Sequence, residues 1–217
     1  MWLTDNHIKT ILFDLDGTLL DTSEGICHSV RYAIDHLQLP QPSEECLREF
    51  VGPPIQESLI RYGGLSKEEA QRGANIFRDF YKNQALFEAS LYDGIIPALD
   101  QLRKMGYKIG VATYKRADYA LDILVHFGIA PLCDVIHGAD NENRLTKADI
   151  IQMCCEELGG GKEGTLLVGD TEHDAKGAAM AGIKFGAVTW GFGFCPNYVK
   201  SDYPIDVVWN NVNDIFN

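Results

Sequence analysis

Two aspartates in the run ILFDLDGTLLDT, Asp14 and Asp16, stand one residue apart directly after the apolar residues Ile11, Leu12 and Phe13. Side chains alternate across an extended chain, so both carboxylates share a side if the strand geometry continues. Like charges held that close are costly unless a cation, a proton or a reaction compensates them. Mg²⁺, a hard cation that takes oxygen ligands and keeps several waters, suits that role. Further along, VATYK carries Thr113, Tyr114 and Lys115, KADII opens on Lys147, and GDTEHD supplies Asp170 and Asp174. Such a set fits phosphoryl transfer. One carboxylate attacks phosphorus to give an aspartyl-phosphate, while a second carboxyl protonates the leaving alcohol and then deprotonates water. Thr113, Lys147 and backbone N–H groups would hold the transferring oxygens.

The elements that must position these residues fall into two regimes. From Thr22 to about Phe87 the pattern is helical, with Ile26, Val30, Ala33, Ile34 and Leu37 at helical spacing. Ser66 and Glu69 form a capping-box pattern ahead of Ala70, Ala74, Phe77 and Tyr81. After Leu91 helices alternate with short apolar runs: YKIGVAT, CDVIHG, TLLVGD, FGAVTW and a segment around Asp206–Val208. That alternation predicts an α/β fold, a Rossmann-like parallel sheet with helices on both faces. Residues 1–20 and 88–217 would form the α/β core, with the helical block 21–87 inserted after the first strand. Ligands of open α/β sheets bind beyond the carboxyl ends of the strands, where Asp14, Asp16, Thr113 and Asp170 fall.

Composition narrows the partners. Of 217 residues 46% are hydrophobic, enough for a substantial core. A formal net charge of −12 argues against binding nucleic acid or an anionic membrane. No apolar run approaches the roughly 20 residues that span a bilayer, and no secretory signal is visible. The six cysteines show neither a C-x-x-C pair nor a zinc-type spacing, as expected of reduced thiols in a cytoplasmic protein. A monomer or weak homodimer is the expectation for assembly.

In order and spacing, DLDGTLLDT, VATYK, KADII and GDTEHD resemble the four motifs of the haloacid-dehalogenase-like hydrolases. AKGAAMAG and WGFG are similar to the phosphoglycolate-phosphatase-like branch, and the resemblance covers essentially the whole chain. It implies a Mg²⁺-dependent phosphatase acting on a small phosphorylated metabolite, with a helical cap inserted after the first motif. Asp14 would be the nucleophile and a metal ligand, and Asp16 the acid/base with its carbonyl on the metal. Thr113 and Lys147 would bind the phosphoryl group, Asp170 would complete the metal site, and Asp174 would stand in or beside it. Thr18 favours hydrolysis over the mutase chemistry of relatives that carry Val there. Two positions depart from the pattern: Tyr114 where Asn is frequent, and Ala148 where Pro is common. The competing functions are a phosphotransferase or sugar-phosphate mutase of the same fold and, further off, a non-enzymatic phospho-accepting receiver. Receivers lack the D-x-D-G-T run and the long insertion.

Other residues read more plainly. His173 is expected at the surface beside the site, and the aromatics of WGFGF are expected to pack under a glycine-rich loop. Arg31, Arg48, Arg61 and Arg78 are candidates for reading the far end of a substrate, although helical arginines are usually solvated.

Overall fold

In the computed structural model, which describes residues 1–142, 144–196 and 198–217, six apolar runs pair as one parallel sheet. They are β1 (Thr10–Phe13), β2 (Lys108–Arg116), β3 (Val135–Ala139), β4 (Thr165–Gly169), β5 (Lys184–Val188) and β6 (Val207–Trp209). Their spatial order is β3-β2-β1-β4-β5-β6, all parallel. β1 and β4 are buried along their whole length, as strands covered on both faces must be. The expected Rossmann-like α/β architecture is therefore present. The strand order reverses between β1 and β4, and in such sheets the crevice at that switch point binds the ligand.

Four helices return the chain between strands: Ile95–Lys104, Ala117–His126, Lys147–Leu158 and Glu172–Ala181. The last two lie over Leu12, Ala112, Leu167 and Phe185 and bury Ile150, Ile151, Cys154, Ala175 and Ala178 against them. Each large apolar side chain so buried contributes about 1.5–3 kcal/mol, which holds both helices against the sheet. All six cysteines are free, and burial pushes the Cys154 thiol up to about 12, so it behaves as a core residue.

Two compact units share the chain. The larger comprises Met1–Leu20 and Leu91–Asn217 and holds the sheet; the smaller comprises Asp21–Ser90. The smaller unit is built of helices Ser23–His36, Glu44–Arg48, Ile55–Gly63 and Lys67–Phe80, followed by a π-helical turn at Tyr81–Ala85. Its capping box forms as the sequence suggests, with Glu69 N–H donating to Ser66 Oγ and Ser66 N–H to Glu69 Oε2. Ile26, Val30, Ala33 and Ile34 make the buried stripe of its first helix. Among the described residues no helix is long and apolar enough to cross a membrane.

Candidate active site

Asp14 follows directly from β1, and its N–H donates to Val168 O at 2.8 Å, one step beyond the strand. The chain then turns sharply: Gly17 adopts φ +80° and its N–H donates to Leu20 O. That turn stops the strand while its two carboxylates stand at the sheet edge. β4 ends next to it and delivers Asp170, which is fully buried. The Glu172–Ala181 helix starts immediately afterwards. Its N-cap, Thr171, donates its N–H and its hydroxyl to Asp174 Oδ2 at 3.1 and 2.7 Å, which aims the Asp174 carboxylate.

The Lys147–Leu158 helix starts in the same way, with Thr146 and Asp149 exchanging capping-box bonds. Lys147 at its first turn is 2% exposed, and its Nζ lies 2.7 Å from both Asp14 Oδ1 and Asp174 Oδ1. Tyr114 borders it. The phenol oxygen accepts the Lys147 N–H at 3.0 Å, and the ring centroid lies 5.7 Å from Nζ.

Asp14, Asp170 and Asp174 thus form a buried group whose ligand oxygens all lie within 4.8 Å of one another. Three carboxylates face a single ammonium, so negative charge is in excess. The titration behaviour follows from that. Burial, opposed by Lys147 and reinforced by Asp174 and Asp16, raises the Asp14 carboxyl to about 6. Burial, with Asp174 and Asp14 beside it, pushes Asp170 well above the usual carboxylate range. Burial works against the Lys147 ammonium, yet the Asp14 and Asp174 carboxylates outweigh it and raise its pKa. An all-oxygen cluster with surplus negative charge is a donor set that a hard divalent cation fits.

Asp16 stands apart from this group. Its carboxylate meets Lys115 Nζ at 2.9 Å from Oδ1 and 3.0 Å from Oδ2. Thr113 is 1% exposed near the end of β2, two residues past Val111, the β1-facing partner of Phe13. Its Oγ1 accepts the Lys115 N–H at 3.2 Å. Lys115 lies two residues past Thr113 on the same strand, which puts both side chains on one side of it. His173 is exposed and meets the Tyr114 ring edge-on at 6.2 Å. In the helical unit Arg31 pairs with Glu44 and Arg61 with Glu49.

The structure is a parallel sheet of the α/β enzyme type, with buried carboxylates and a buried lysine gathered at its switch point. Residues 11–188 match the model of the haloacid dehalogenase-like hydrolase family, and the chain belongs to that family. It is 40% identical over 186 residues to the tyrosine-protein kinase PtkA of Mycobacterium tuberculosis, a match covering 85% of this chain. The chain spans only 63% of the length of that relative. A 5'-nucleotidase of Pseudomonas aeruginosa is 34% identical over 184 residues, covering 84% of this chain and 83% of the relative. Among solved structures, a predicted phosphatase from Clostridium acetobutylicum superposes with TM-score 0.87 at 33% identity, covering 96% of each chain.

Proposed function

We propose that the protein is a Mg²⁺-dependent phosphatase that hydrolyses a small phosphomonoester through an aspartyl-phosphate on Asp14. The observation that carries this is the group of Asp14, Asp170 and Asp174 with Lys147 shared between two of them. Family membership and the resemblance to a 5'-nucleotidase and a predicted phosphatase support it.

In the first step an Asp14 carboxylate oxygen bonds to phosphorus as the bond from phosphorus to the leaving oxygen breaks. Asp16, once released from its ion pair with Lys115 and protonated, gives its proton to that oxygen, so an alcohol departs. In the second step Asp16, now a carboxylate, takes a proton from water as the water oxygen bonds to phosphorus. The bond from Asp14 to phosphorus breaks, and inorganic phosphate and free Asp14 result. Lys147 and Thr113 hold the phosphoryl oxygens, and Lys147 neutralises charge that builds on them. Asp14, Asp170 and the Asp16 carbonyl would hold the cation, with Asp174 in or beside the set. When bound, the cation offsets the carboxylates' charge and polarises the phosphoryl oxygens. We assign the helical unit Asp21–Ser90 the role of a cap that selects the leaving group.

Phosphate release from a panel of small phosphomonoesters, with Mg²⁺ and with excess chelator, tests the proposal. Metal-dependent release that vanishes in Asp14→Asn is expected. Absence of release from every ester by a folded protein would remove the hydrolase. The similarity to PtkA, named a tyrosine-protein kinase, favours a phosphotransferase as the second reading. Phosphate appearing on an added acceptor instead of in solution would identify it.

A further inference from the structure

We propose that the 190–194 loop, WGFGF, is a backbone clamp for Asp170, and that its fit sets how tightly the carboxylate group holds a divalent cation. The inference rests on the cation-binding part of the proposed function.

The loop holds Asp170 at two places. Phe192 N–H donates to Asp170 Oδ2 at 2.7 Å, and Phe194 N–H donates to the Asp170 carbonyl at 2.8 Å. The other carboxylate oxygen, Oδ1, accepts the Thr18 hydroxyl at 3.4 Å. Thr18 is itself tied to the loop, because Trp190 Nε1–H donates to its carbonyl at 3.1 Å. Both oxygens and the backbone of one aspartate are therefore oriented by the loop and its tether.

The glycines explain the composition. A Cβ on Gly191 would stand 2.2 Å from Gly17 O and 2.4 Å from Asp170 Oδ2. One on Gly193 would stand 2.5 Å from Asp170 O. No side chain fits between the loop and the aspartate, so the contact has to be made by bare backbone. The aromatics do the anchoring: Phe194 is 6% exposed and its ring lies 6.2 Å from Phe185 in the core. Alternation of aromatic and glycine thus sets an anchored edge against an approaching one. Groups that orient a metal ligand change affinity even though they never touch the metal. That makes Trp190, Gly191 and Phe192 positioning residues.

The test is calorimetric titration of the full chain with Mg²⁺, independent of turnover, alongside its unfolding midpoint in chelator. Gly191→Ala should weaken Mg²⁺ binding by about 10- to 100-fold. Trp190→Phe, which removes one tether and keeps a ring, should weaken it by a smaller factor. An unchanged affinity in folded Gly191→Ala overturns the clamp. Should Gly191→Ala fail to fold, Trp190→Phe decides, and wild-type affinity there overturns it equally. Wild-type protein that neither binds Mg²⁺ nor is stabilised by it overturns the cation-binding reading itself.

Discussion

Lys115 and Asp16 face one another as an ion pair, with Nζ within 3.0 Å of both carboxylate oxygens and side chains only 6% and 13% exposed. Removing one partner of such a pair leaves a poorly solvated charge, which costs more than the pair itself contributes. Lys115→Met should therefore destabilise the protein by about 2 kcal/mol, and Asp16→Asn added to it should restore part of that. A double-mutant cycle by denaturant unfolding measures the coupling, expected at about 1–3 kcal/mol. A coupling near zero would mean that the pair does not hold Asp16 in place.

Among the described residues Lys147 is the one ammonium bonded to both Asp14 and Asp174. In Lys147→Met three carboxylates crowd together without it, and turnover should fall by about 10²–10³-fold through loss of a charged phosphoryl contact. Thermal unfolding in chelator should drop, and Mg²⁺ should recover much of the loss by supplying the missing positive charge. A variant with wild-type turnover would remove Lys147 from the phosphoryl site.

The Asp14 carboxyl, raised to about 6, gives a pH dependence of defined sign. Its folded pKa lies above its unfolded value, so its contribution to metal-free stability is fully present below about pH 4 and is lost as pH rises through about 6. Asp14→Asn, which cannot ionise, should gain stability relative to wild type across that window in chelator. Mg²⁺ binding runs the other way and should weaken below about pH 6, where protons compete for the same oxygens. Parallel stability curves for the two proteins from pH 4 to pH 7 would refute the assignment.

Gly177 lies against the stem of Lys147. A Cβ there would sit 2.5 Å from Lys147 Cγ and 2.8 Å from its Cβ. Gly177→Ala should push the lysine off Asp14 at a cost of about 1–3 kcal/mol and weaken competitive inhibition by orthophosphate. Tyr114→Phe, which leaves the Lys147 N–H without its acceptor, should cost about 1 kcal/mol and raise KM more than it lowers kcat. Unchanged orthophosphate inhibition in both variants would show that Lys147 is positioned by other contacts.

Much of this was legible beforehand because local chemistry and tertiary need agree. The alternation of helices with apolar runs after Leu91 holds at the helix through Ile150 and Cys154, which starts at Lys147 because Thr146 caps it and the core demands its apolar face. Asp14, Asp16 and Asp170 stand just past strand ends, where a parallel sheet displays its ligands, and Asp174 stands in the first turn of the helix that follows. What escaped is what only long-range approach creates. Lys115 lies 99 residues from Asp16, and no periodicity links them. The glycines of WGFGF read as loop punctuation because their partner, Asp170, is 22 residues from Phe192 and approaches through backbone. The π-helical turn at Tyr81–Ala85 leaves no mark in a pattern of helical spacing.

The place of β1 in the sheet carries a consequence for biosynthesis. β1 lies at the centre, yet its two neighbours are Lys108–Val111 on one side and Thr165–Val168 on the other. As a ribosome extends the chain, Thr10 and the three apolar residues after it, with both hydrogen-bonding edges open, must wait for more than half the protein to emerge. The helices of Asp21–Ser90 satisfy their backbones locally and can form meanwhile. Until Thr165–Val168 arrives, that first strand is a sticky nascent segment and a natural client for a chaperone. The aspartate cluster closes late as well, since Asp170 and Asp174 follow β4, so chains terminated before them carry the first motif without its partners.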